Sequence, residues 1–107
     1  MNMIAPIKGT EIGGDAFSRL RDMIGGRPQS PDDARTEARR LISSAIADTC
    51  HADNLWGAVD AFHAHFDFMM RTIDLNGAGD PNLRGLRTRC RFYLEQIEAL
   101  CQSQAYR

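Results

Sequence analysis

Apolar residues along this chain recur at helical rather than alternating spacing, and the densest run lies between Leu55 and Asp74. Leu55, Val59, Phe62, Phe66, Met69 and Ile73 follow one another at steps of three and four, the seam that a helix presents to other helices. Trp56, His63 and Met70 form a second row beside it, while Phe68, Thr72 and Leu75 fall elsewhere around the barrel. Gly57, Asp60, Ala64, Asp67, Arg71 and Asp74 leave only a narrow polar strip. A helix this apolar must be covered on most sides, so it is expected at the centre of a bundle or against a partner.

The flanking segments complete a helical fold. Asp15 can cap a short helix carrying Phe17, Leu20 and Ile24, which stops at Gly25-Gly26. Ser30-Pro31-Asp32-Asp33 is the clearest helix start. The serine can bond free amides, the proline lacks the N–H that would be orphaned, and the aspartates complement the dipole. The helix that follows places Ala34, Ala38, Leu41, Ile42, Ala45 and Ile46 on one face. Asp53 or Asn54 can cap the central helix, and Asn76-Gly77 ends it. Asp80-Pro81 repeats the start signal for a last helix with Leu83, Leu86, Cys90, Tyr93, Ile97 and Leu100 in three-four alternation.

The sequence thus predicts an all-α small helical bundle with a C-terminal antiparallel αα-hairpin, residues 15–107 forming a single helical domain. Residues 1–14 are expected to be an irregular N-terminal segment. They combine Pro6 and three glycines with Met3, Ile4, Ile7 and Ile12, so they either pack into a groove of the bundle or order on a partner.

Composition narrows the function classes without naming one. The 107 residues carry 13 basic and 14 acidic side chains, so no global field draws the chain to nucleic acid or membrane. No run is long enough to span a bilayer or resembles a signal peptide, and the expectation is a cytoplasmic protein with no membrane contact. Cys50, Cys90 and Cys101 form no CxxC pair, and their odd number argues against a disulfide framework.

Three constellations of residues could carry chemistry. Asp60, His63 and Asp67 share one side of the central helix and could offer metal ligands, with Glu95 and Glu98 approaching from the last helix. A histidine hydrogen-bonded to a neighbouring aspartate explains the same residues without a metal. Cys90 and Cys101 fall on the apolar face of one helix, as buried cysteines do, and Cys50 beside His51 has no third orienting group. Arg84, Arg87 and Arg91 form a stripe that could bind nucleic acid, or could pair with Asp67 and Asp74 of the facing helix. No enzyme, catalytic residue, metal site or cofactor is expected.

The remaining signal is aromatic. Trp56, Phe62, Phe66, Phe68 and Met70 are the candidate partner-binding residues, because a bundle this small does not easily cover every apolar side of its central helix. A protein partner, captured as an amphipathic helix in a groove, or a homodimer follows from that excess.

One known family has the same order of features. The stretch from Ser30 through Asp33 to Leu41, then Leu55, Ala58 and Val59, then Asp74-Leu75, Pro81, Leu83, Leu86 and Arg87, resembles the flagellar biosynthesis regulator FlaF family over residues 30–100. Where that family commonly has an asparagine and a tryptophan in the central helix, this chain has Phe62 or His63 and Phe66. The resemblance implies a non-enzymatic regulator of flagellin synthesis and export that binds flagellin, whose helical ends would suit a groove built from Trp56, Phe62 and Phe66. A small phage or mobile-element protein that inhibits or regulates a host protein fits the same features, as does a nucleic-acid-binding regulator using Arg84 to Arg91.

Overall fold

The computed structural model describes residues 14–26, 30–47 and 53–105, most of them in four helices. These are α1 (Gly14–Gly25), α2 (Pro31–Ile46), α3 (Asp53–Asn76) and α4 (Leu83–Ala105), and the described residues contain no strand. The fold is all-α, and no helix among the described residues is long and apolar enough to cross a membrane. The N-terminal segment, apart from Gly14 at the start of α1, lies outside the described residues.

Local chemistry sets the boundaries. Ser30 is extended, with φ −135° and ψ 110°, and its Oγ accepts a hydrogen bond from the Asp33 amide at 3.3 Å. Pro31 opens α2, and Asp32 and Asp33 lie in its first turn. α3 ends where Gly77 turns left-handed at φ 85°, donating its N–H to the Ile73 carbonyl at 2.8 Å. Three starts differ from the sequence reading. α1 begins at Gly14, so Asp15 lies inside it and does not precede it as a cap. α3 begins at Asp53, so neither Asp53 nor Asn54 precedes it as a cap. Asp80 does not cap α4 either. Its Oδ1 accepts from the Asn82 amide at 2.8 Å and its carbonyl from Leu83, which fastens the turn, while the Asn82 carbonyl receives the first α4 bond from Leu86.

The helices pack in a ring: α1 against α2, α2 against α3, α3 against α4, and α4 back against α1. Inside it lie Phe17, Leu20 and Ile24 of α1, all six predicted residues of α2, and the whole α3 seam from Leu55 to Ile73. Each fully buried phenylalanine, leucine or methionine there contributes about 1.5–3 kcal/mol relative to exposure. On α4 the buried row is Leu83, Leu86, Cys90, Leu94, Ile97 and Cys101, with Tyr93 and Leu100 only partly buried at its edge. Strict three-four alternation steps too slowly for a straight helix, and over three turns the contact line moves on to Leu94 and Cys101.

Side chains at the periphery tie the helix pairs. Arg19 reaches Glu37 at 3.1 Å from α1 to α2, Arg21 pairs with Glu98 between α1 and α4, and Arg39 grips Asp67 between α2 and α3. The α3–α4 hairpin uses rings instead. His65 and Tyr93 stack with centroids 5.1 Å apart, each fourteen residues from Gly79, which fixes the antiparallel register.

Candidate functional site

The five partner-binding candidates separate by burial. Phe62, Phe66 and Met70 are fully enclosed, and the rings of Phe62 and Phe66 stack at 5.5 Å within the core. With α2 and α4 packed on either side, the inner half of α3 faces the core, so these side chains hold the bundle together and are not presented at its surface. Trp56 and Phe68 do reach the surface, at 43% and 57% exposure, but not together. Trp56 borders a groove of about 480 Å³ between α2 and α3, whereas Phe68 borders one of about 720 Å³ between α3 and α4.

The hairpin groove has the more distinctive lining. On α3, Phe68 and Leu75 stand two turns apart with Arg71 between them, and Leu75 is 72% exposed. On α4, Arg84 and Arg89 flank Leu86, and Gly85 contributes no side chain where a Cβ would meet nothing within 4 Å. Phe92, 55% exposed, meets Tyr93 edge-on at 5.2 Å, so an aromatic row of Phe92, Tyr93 and His65 runs across the same seam. Arg71, Arg84 and Arg89 make no side-chain hydrogen bond or ion pair among the described residues. The acidic residue of the groove, Asp80, is already held by the Asn76 amide at 2.8 Å and by the Asn82 amide. Leu75, Arg89 and Phe92 are not among the partner-binding candidates that the sequence offers. The available signal was Phe92 itself, a large apolar residue off the α4 seam.

The arginine stripe is divided by the fold. Arg87 donates Nε to the Ile24 carbonyl at 3.0 Å and a terminal N–H to the Gly26 carbonyl at 3.4 Å. Those carbonyls belong to the end of α1, where the last turn lacks intrahelical donors and the helix dipole is negative. The Arg91 guanidinium approaches the same corner, 3.4 Å from where a Cβ on Gly25 would stand. Arg84 alone of the three lines the hairpin groove. The expected pairing of this stripe with Asp67 is replaced by a pairing across the other side of α3. Arg39 donates to both Asp67 oxygens, at 3.0 and 2.8 Å, and these bonds hold the Asp67 carboxyl below its ordinary range.

With Asp67 engaged, His63 does not acquire the aspartate hydrogen bond expected of it. Its Nδ1 is buried with no hydrogen-bond partner among the described residues, and burial pushes the imidazole pKa down. Among the described residues no three His, Cys, Asp or Glu side chains are arranged to hold a metal ion. Cys90 is enclosed by the core, and burial pushes its thiol up to about 12, which leaves it protonated and unreactive at neutral pH. Cys50 and His51 lie outside the described residues.

Comparison of the chain with protein-family models, with curated proteins and with solved structures finds no match.

Proposed function

We propose that this chain is a non-enzymatic protein-binding module of the cytoplasm that engages its partner through the outer face of the α3–α4 hairpin. One observation carries the reading. The bundle encloses a full core, yet Phe68, Leu75 and Phe92 stay more than half exposed along a single helix pair. Scattered surface hydrophobes need no explanation, but large ones gathered beside a groove mark interaction surfaces.

A flagellin-binding, FlaF-like regulator is the specific form of this reading, and its support is the sequence resemblance. Of the residues that carry that resemblance, Leu41, Leu55, Val59, Leu83 and Leu86 are core positions, whereas Leu75 is exposed. The buried ones speak for a shared bundle, while the proposed partner surface shares Leu75 with the resemblance and adds Phe68 and Phe92. The nucleic-acid alternative is weakened by the engagement of Arg87 with the end of α1.

Affinity capture of the tagged full chain from its own host, with and without nuclease, tests the reading when run beside a Phe68→Asp, Phe92→Asp variant. A stoichiometric protein that survives nuclease and is lost with the variant supports it, and flagellin as that protein supports the FlaF-like form. Recovery of nuclease-sensitive RNA or DNA instead, or capture indifferent to the two substitutions, rejects it.

A further inference from the structure

We propose that the hairpin groove receives an acidic amphipathic helix, an inference that rests on the protein-binding reading above. The contrast in arginine pairing points there. Arg19, Arg21, Arg35, Arg39 and Arg40 each meet a carboxylate of this chain. Arg71, Arg84 and Arg89, gathered around the groove that Phe68 and Leu75 border, meet none among the described residues. Neutralising three clustered cations beside a desolvating surface calls for carboxylates brought by the partner.

The apolar spacing specifies the shape of that partner. Phe68 and Leu75 are seven residues apart on one helix, about 10 Å along its axis. A docked helix offers leucine-type side chains at the same interval from positions i, i+3 or i+4, and i+7. Gly85 leaves room on the α4 side for a backbone to approach. A second copy of this chain is a poor occupant, because symmetric pairing of this face would set the same three arginines against one another while Asp80 stays bound to Asn76 and Asn82. Phe68 and Phe92 are faces on which a single strand of nucleic acid would stack, whereas Leu75, the most exposed large apolar side chain, suits an apolar side chain instead. An oligouridylate probe separates the two.

The test uses the full chain and labelled synthetic helices of about 20 residues, long enough to hold helical structure. One carries leucines at i, i+3, i+4 and i+7 with glutamates on the flanks; its counterpart replaces each glutamate by lysine. An oligouridylate serves as the third probe. Fluorescence anisotropy should show the acidic helix bound at least about tenfold tighter than the basic one, with affinity falling as salt rises. An Arg71→Glu, Arg84→Glu, Arg89→Glu variant with unchanged circular dichroism should reverse that order. No binding of the acidic helix, equal binding of the two peptides, an order that the variant leaves unreversed, or tighter binding of the oligouridylate would each overturn the inference. If capture of the native partner still depends on Phe68 and Phe92, the protein-binding reading survives that failure. If capture ignores them, both fall.

Discussion

Replacing Arg87 with alanine should destabilise the bundle by about 2 kcal/mol, although no core side chain is touched. The Nε bond to the Ile24 carbonyl at 3.0 Å is charge-assisted and bridges two helices far apart in sequence. Such a bond contributes about 1.5–3 kcal/mol, and a cation at a helix C-terminus adds about 0.3–1 kcal/mol. The contact to Gly26 at 3.4 Å is long and adds little. Arg87 is only half-buried, so solvent screening brings the total to the lower part of that range. In a domain of this size, about 2 kcal/mol lowers Tm by roughly 8 °C or more. Thermal and urea unfolding followed by circular dichroism would read the loss. Arg84→Ala, on the exposed side of the same stripe, should change stability by no more than about 0.5 kcal/mol. Arg87→Lys should fall between them, because a lysine keeps the charge near the dipole but cannot reproduce the guanidinium geometry. The reasoning is refuted if Arg87→Ala unfolds like the parent, or if Arg84→Ala costs as much.

Two further perturbations separate core from surface and fix the acid response. Phe66→Ser should unfold the protein or remove about 3–5 kcal/mol, while Phe68→Ser should leave a folded protein of nearly parental stability; a stable Phe66→Ser variant in urea titration would break the seam assignment. Burial lowers the His63 pKa, with Arg39 adding to it and Asp67 and Asp60 opposing, so the unfolded chain binds this proton more readily than the folded one. Stability therefore falls as pH drops below the unfolded value of about 6.5, and His63→Leu should flatten that slope in urea midpoints. An unchanged slope would show that His63 is not its source. The Asp67 carboxyl, held low by Arg39, adds its own loss only on further acidification, below about pH 4.

Features with a local cause were legible in the sequence. The seam from Leu55 to Ile73, the six-residue face of α2, the Ser30-Pro31 start and the Gly77 stop all arise from periodicity or from one residue's own chemistry, and all appear in the structure. The α4 core line was partly legible. Leu83, Leu86, Cys90 and Ile97 hold, but Leu94 and Cys101 take the places assigned to Tyr93 and Leu100 because the helix winds at its natural pitch. Long-range pairing was hidden. Nothing near Arg87 in sequence announces the end of α1, and nothing near Asp67 announces Arg39. The candidate partner residues mixed both kinds. Aromatic content marked α3 as special, but which rings face outward depends on where α1, α2 and α4 settle, and that left Phe62, Phe66 and Met70 inside.

Hydroxyl-radical footprinting of the chain alone and in complex with its captured protein partner tests the central claim most directly, because exposed rings report contact themselves. Phe68 and Phe92 should be protected in the complex while Trp56, on the other side of α3, keeps its reactivity. Protection of Trp56 with Phe68 and Phe92 unchanged would contradict the hairpin face as the binding surface.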